Sequence, residues 1–397
     1  MTHPTLRVAV RKFAPFESAI AEQFADFLRV SRRDASLDAQ AMDLNPLHEA
    51  IIGSGGLGDG SWDIAFMATD WLAEAQHAGL LEDLSLHMRR DPVPDFPEGW
   101  SASLTGLQRF AGGIWGMPYH DGPECLIYRT DLLAEAGLSV PTTWDEFYRA
   151  ARALHRPERE QFGTVLALFP DGHNGFYDFC IHVWSRGGEV FDDTGRIDFT
   201  SAAAHGALDF VRTLAADERA IAPAAHELDS VKSGLLFAQG KVAMMANWFG
   251  FAAYGDTAPD SRVKGKIDVA PLPAGDGGKS VSLNVFWVLA IGSGSRHKEL
   301  AWDFLRHCAS APMDLITTAK GAIGVRKSTW QDPRVNAQIP YYHRLAWLHE
   351  HARELPLTPK LAVASHIVDD LLTEATTTDT PTATLLARAQ RRAEAEL

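Results

Sequence analysis

The stretch Gly113-Ile-Trp-Gly-Met-Pro-Tyr-His-Asp-Gly122, with Cys125-Leu-Ile-Tyr-Arg129, Thr130 to Gly137 and Val140-Pro-Thr-Thr-Trp-Asp-Glu-Phe147 behind it, decides how this chain reads. Glycine and proline punctuate a turn that runs into a short apolar strand, Leu126 to Tyr128. A helix then starts near Thr130 or Asp131 and stops at Gly137. The next helix start is clearer: Thr143 and Glu146 form a capping box, and Phe147, Ala150, Ala151 and Leu154 repeat behind it at helical spacing. Turn, strand, helix, proline and capped helix in that order describe an α/β protein.

Working outward, 397 residues exceed one ordinary core, and at about 150 residues per domain the chain divides most economically into two lobes. With 46% apolar residues it can bury large cores. Lys and Arg number 37 against 51 Asp and Glu, a net charge of −14, and no basic stripe stands out, so nucleic acid and anionic membrane are poor partners. Cys125, Cys180 and Cys308 are odd in number and widely spaced, which argues against a zinc site or a disulfide framework and leaves one bridge open. No run of 18 apolar residues spans a membrane. Leu6, Val8 and Val10 alternate as a strand where a signal peptide's hydrophobic stretch would lie. Two expectations remain: an export signal absent from this sequence, or a protein that stays in the cytoplasm.

That first strand is followed by a helix face of Ile20, Phe24, Phe27 and Leu28. Arg11, Lys12 and Phe13 fall at the strand's carboxyl end, where open α/β sheets place ligands; the alternative for the two cations is solvated surface. Asn45 before Pro46 reads as a helix start. Gly53-Ser-Gly-Gly-Leu-Gly58-Asp-Gly60 imitates a dinucleotide loop, but it follows a helix and precedes the strand Trp62 to Met67, so it reads as a helix stop. Gly278-Lys279-Ser280 imitates a phosphate loop, yet Pro273 occupies the position of the required leading glycine. His120 beside Asp121 has no nucleophile motif nearby, so the pair reads as loop rather than catalyst.

The segment from Gly113 to Phe147 resembles the crossover between the lobes of extracellular sugar-binding proteins of bacterial ABC importers. Similar motifs recur at Phe237 to Met244, a helix ending in Gly-Lys before the strand Val-Ala-Met, and at His297 to Cys308 followed by Gly321-Ala-Ile-Gly-Val-Arg-Lys-Ser and Asp332-Pro-Arg-Val. There Gly324 or Val325 replaces the family's usual proline. The terminal helix after Thr380 and Pro381 is also similar. The resemblance, to maltose-binding-protein-like family 1 solute-binding proteins, implies a two-lobed periplasmic-binding-protein fold of type II with three hinge crossovers. It places 1–121 and 285–335 in one lobe and 122–284 and 336–397 in the other. It further implies Asp70, in Ala68-Thr69-Asp70-Trp71, as an acceptor for sugar hydroxyls, with a helix cap as its other reading. Tyr119, His120 and Asp121 would line the hinge and cleft floor. Asn174, Phe176 and Trp184 would face the ligand from a helix opened by a glycine and asparagine loop, their other reading being core packing. Trp248 stands where the family stacks a sugar ring, since an indole suits the C–H face of a sugar while rim hydroxyls reach polar groups. Asn284 and Trp287 would reach the cleft from the recrossing strand, and Arg326 would either donate to the ligand or fix its own loops.

The expected function is therefore reversible binding of a sugar or sugar-derived solute by a monomer, lobe closure around it and delivery to an ABC membrane permease, at the periplasmic or cell-surface side. No cofactor, metal or catalysis is expected. The alternatives are a carbohydrate-active enzyme using paired carboxylates such as Asp70 and Asp121, and a cytoplasmic sugar sensor of the same fold.

Overall fold

Apolar runs too short for a helix become the buried strands of two separate sheets. The computed structural model describes residues 3–192 and 195–397. Its strands, in chain order, are β1 (Thr5–Arg11), β2 (Ser36–Met42), β3 (Ile64–Ala68), β4 (Arg109–Phe110), β5 (Gly113–Ile114) and β6 (Met117–His120). They continue as β7 (Glu124–Arg129), β8 (Met244–Trp248), β9 (Ile267–Ala270), β10 (Ser282–Leu283), β11 (Trp287–Ile291) and β12 (Ala352–Arg353). The chain separates into two compact units, residues up to Gly122 with Val285–Ala346, and Pro123–Asn284 with Trp347–Leu397. The backbone thus passes from one unit to the other three times.

The first unit is built on a five-stranded sheet in the order β2-β1-β3-β11-β6. β1 pairs in parallel with β2 and β3, while β11 runs antiparallel to β3 and β6. Every residue of β3, Ile-Ala-Phe-Met-Ala, is buried, as expected of a central strand covered on both faces. The edge strand β2 instead exposes Ala39, Gln40 and Ala41, and its polar residues discourage pairing with another chain. The helix Ala14–Ser31 lays Phe16, Ala19, Ile20, Phe24 and Phe27 inward. Asp43, not Asn45, precedes the short helix Leu44–His48. The glycine-rich loop behind it packs backbone against backbone: Gly60 has φ +83°, and a Cβ there would come within 2.7 Å of the Gly294 carbonyl oxygen. A tight turn, not a phosphate cradle, explains its glycines.

The second unit carries a three-stranded antiparallel sheet, β8-β7-β9. β9 pairs with β7 inside the second unit, whereas β11 joins the first sheet. The capping box forms as read: Thr143 accepts from the Glu146 N–H, and the Glu146 carboxylate accepts from the Thr143 N–H. Such a cap stabilises the helix Trp144–Leu154 by about 1 kcal/mol. The preceding helix, Thr130–Ala136, ends on Gly137 at φ 64°, a left-handed stop that glycine adopts without a Cβ clash. The helix Asn174–Trp184 is buried almost all round, and the C-terminal helices Leu361–Thr377 and Thr382–Glu396 pack in the same unit. Cys125, Cys180 and Cys308 are buried free thiols, so the bridge left open by their number does not form.

Candidate functional site

In the first unit the strand directions gather the expected residues at one sheet edge. β1 and β3 run in parallel, so Arg11 and the Thr69–Trp71 turn lie at their carboxyl ends. β11 runs the other way and begins there, with Trp287 opposite Ala68 and His120; the register shifts beside Trp287, an irregularity that re-aims a side chain. Half-exposed Trp287 meets Trp71 edge-on at 5.9 Å and Phe16 at 6.0 Å, while Phe13 and His120 close on Phe16 at 5.2 and 4.7 Å. Half-exposed Asp70 sits in the Thr69–Trp71 turn beside this aromatic belt. Arg11 and Lys12 both turn to Asp43, at 3.6 and 3.4 Å.

His120 belongs to this edge as well. Its Nδ1 accepts from the Ile323 N–H at 2.9 Å, which leaves the other ring nitrogen as the donor of the neutral ring. Burial pulls its pKa down to about 4, outweighing the nearby Asp121, so the ring is uncharged near neutrality. Asp121 itself is buried, and its N–H donates to the Ile323 carbonyl.

In the second unit the site is a set of rungs between sheet and helix. Asp171 accepts from the His173 and Asn174 N–H groups, so it caps the helix Asn174–Trp184 from two residues ahead of its N-cap. The same carboxylate takes the Asn174 side-chain NH₂ at 2.6 Å, which turns the amide oxygen of Asn174 toward the Trp248 indole N–H at 3.3 Å. Trp248 is half-exposed and meets Tyr177 edge-on at 5.8 Å. Across the ladder Trp248 lies opposite Glu124, so both side chains share one sheet face. Asp178 is one helical turn beyond Asn174 and faces Glu124. A held indole can pack on a face of C–H bonds while the carboxyl and amide oxygens around it accept from the hydroxyls.

Other expected contacts are engaged by their own units. Tyr119 is buried and donates to Gln23 at 2.8 Å. Arg326 is 4% exposed, donates to the Ala309 carbonyl and to Asp95, and lies 4.2 Å over the Trp100 ring. Phe176 packs edge-on against Phe191, and Trp184 is buried under the Arg353 guanidinium. Asn284 is buried and donates to Glu354 at 3.3 Å. Conversely, Glu124 and Asp178 went unread in the sequence. Their signal was a single carboxyl set in each of two otherwise apolar buried runs, Glu-Cys-Leu-Ile-Tyr and Phe-Tyr-Asp-Phe-Cys.

Asp369 supports the Asp171 turn by accepting from the Gly172 N–H at 2.8 Å. Burial, against that hydrogen bond and with Asp171 nearby, pushes its pKa up to about 7. The unfolded group titrates near about 3.9. Between those values the folded chain holds a proton that the unfolded chain has lost, so this contribution to stability is full below about pH 4 and is lost as pH rises through about 7. Asp369→Asn, which keeps an oxygen for Gly172, should therefore gain stability relative to the parent between about pH 5 and pH 8. Parallel pH profiles in urea unfolding of the two proteins would refute this.

Among the described residues no helix is long and apolar enough to cross a membrane, and no group of three or more His, Cys, Asp or Glu is placed to hold a metal ion. The model of the bacterial extracellular solute-binding protein family matches residues 45–314. A probable ABC transporter-binding protein of Deinococcus radiodurans is 27% identical over 254 residues, 62% of this chain and 60% of that protein's length. An arabinooligosaccharide-binding protein of Halalkalibacterium halodurans is 23% identical over 347 residues, 82% of this chain and 72% of that protein. A solved ABC transporter solute-binding protein of Agrobacterium radiobacter K84, in complex with ribitol, shares the fold with a TM-score of 0.89 at 24% identity over 99% of both chains. Since the family model spans well over half of its length, the chain belongs to the bacterial extracellular solute-binding proteins.

Proposed function

We propose that this chain is the substrate-binding component of an ABC importer, that it binds a sugar or polyol reversibly and that it delivers the solute to a membrane permease. The carrying observation is Trp248, half-exposed and locked by Asn174, with Glu124 on the same face. Trp287, Asp70, Phe13 and His120 form the corresponding set in the first unit. A solute that binds one conformation of the chain more tightly than others shifts its population, which is what couples binding to a conformational change. The solute class is supported by the relatives, one named for binding an arabinooligosaccharide and one solved with ribitol. The protein works as a monomer outside the cytoplasmic membrane, and no bond of the solute is broken.

Incubation with ribitol, D-mannitol, maltose and arabino-oligosaccharides tests this directly. A rise in thermal stability with the solute recovered intact is the expected result, because a ligand that binds only the folded state stabilises it. Shortened oligosaccharides would instead favour a carbohydrate-active enzyme, and the absence of any shift across the panel would remove the solute reading.

A further inference from the structure

Two carboxyl groups meet inside the second unit, one from the sheet and one from the helix. Glu124 heads β7 and is 2% exposed, and Asp178 reaches it from the first turns of Asn174–Trp184 within hydrogen-bonding reach. Among the described residues no N–H or hydroxyl satisfies Glu124 Oε2, so Asp178 is the group it has. A carboxylate only accepts, so two carboxyl groups can hydrogen-bond to each other only when one carries a proton. Glu124 is buried and Asp178 half-buried, so two negative charges brought together there repel strongly. Asp178 borders a cavity of about 30 Å³, large enough for one water, whose wall includes the buried hydroxyl of Ser233, which has no hydrogen-bond partner of its own.

We propose that Glu124 and Asp178 hold one proton between them and act as the charge filter of the second unit, admitting uncharged and amine-bearing solutes and refusing carboxylated ones. The inference rests on the solute-binding reading above. Its geometry is the second rung of the ladder whose first rung is Trp248 and Asn174, so the pair shares a face with the indole. The surroundings add negative charge. Asp171 lies in the turn before the helix, and Asp369 approaches that turn from Leu361–Thr377. The cations of neighbouring elements are engaged: Arg353 on β12 pairs with Glu189, and Lys232 donates to the Glu227 carbonyl. His173 precedes the helix, and His182, one turn beyond Asp178, is held uncharged by burial. Burial raises the Asp178 pKa to about 7 and that of Glu124 well above its ordinary range. In the first unit Arg11 and Lys12 turn to Asp43, and Arg326 to Asp95. An amine-bearing solute would take the place of the shared proton, releasing it to solvent, whereas a neutral polyol would leave it in place.

The test has two arms. On the unliganded protein, carboxyl ¹³C NMR should show carboxyl signals titrating above about pH 6 that disappear in both Glu124→Gln and Asp178→Asn. The second variant guards against a fold defect in the first. If every carboxyl removed by these variants titrates below about pH 5, the shared proton is overturned whatever the protein binds. Calorimetry then compares D-glucitol, D-glucamine and D-gluconate, which share a skeleton and differ in terminal charge. Gluconate should bind at least about tenfold more weakly than glucitol, with the gap narrowed in Glu124→Gln. Gluconate binding as tightly as glucitol overturns the filter while leaving solute binding standing. Silence from all three counts against the solute reading for hexitols and against the filter with it, and the NMR arm still decides the proton.

Discussion

Trp248→Ala should weaken solute binding by about 2 to 3 kcal/mol, roughly 30- to 150-fold, while the second unit unfolds almost as the parent does. The indole is half-exposed, so it is available to a partner, yet its N–H is committed to Asn174 and its edge to Tyr177, so it is presented in one orientation. A ring fixed in advance loses little side-chain entropy when a solute packs on it, and that preorganisation is what makes one aromatic carry a large share of the affinity. Truncation removes the face and also frees the Asn174 amide. Trp248→Phe separates the two effects: it keeps an apolar face but lacks the N–H, and it should fall between parent and Ala. Calorimetric titration with whichever solute of the panel stabilises the parent reads the loss. Affinity unchanged in Trp248→Ala, with stability intact, would take the indole out of the site.

The same contrast between presented and engaged side chains explains what the sequence could and could not say. Local signals survive in the structure because they depend on local geometry: the Thr143 and Glu146 cap and the Gly137 stop need only neighbouring residues. The α/β elements were legible for a related reason, since apolar runs and their spacing determine them, whereas the division into two units followed from chain length and from the family resemblance. The candidate contacts were harder. Tyr119 and Arg326 carry groups suited to a solute, but whether such a group faces outward depends on Gln23, Asp95 and Trp100, which lie up to 231 positions away along the chain. Glu124 and Asp178 were hidden for the opposite reason. A carboxyl in an apolar run looks like an interruption until a second one, 54 positions further on by subtraction of their numbers, is brought against it by the fold. The register of β7 against β8 supplies the rest, because it alone puts Glu124 beside Trp248.

Arg326→Ala should lower the stability of the first unit by about 3 kcal/mol and change solute affinity less than about threefold. The guanidinium is enclosed: one nitrogen donates to the Ala309 carbonyl at 2.8 Å, another to Asp95 at 3.0 Å, and its plane covers Trp100. Asp95 is 69% exposed, so the ion pair itself contributes little; the cost comes from the orphaned carbonyl and the space left over the indole. Arg326→Lys should recover little of it, because an ammonium cannot cover the ring or make the forked contacts and is costlier to bury. Affinity is expected to hold because the loop that positions His120 has other anchors. Asp314 accepts from the Val325 and Arg326 N–H groups at 2.8 and 3.1 Å, and the Tyr342 hydroxyl accepts from Gly324 at 2.8 Å. Those bonds do not involve the side chain being removed, so Ile323 stays in place to donate to His120. Chemical denaturation together with titration of the same variant distinguishes the roles: lost affinity with parental stability would make Arg326 a solute contact, whereas lost stability with retained affinity makes it the clamp of its own loop.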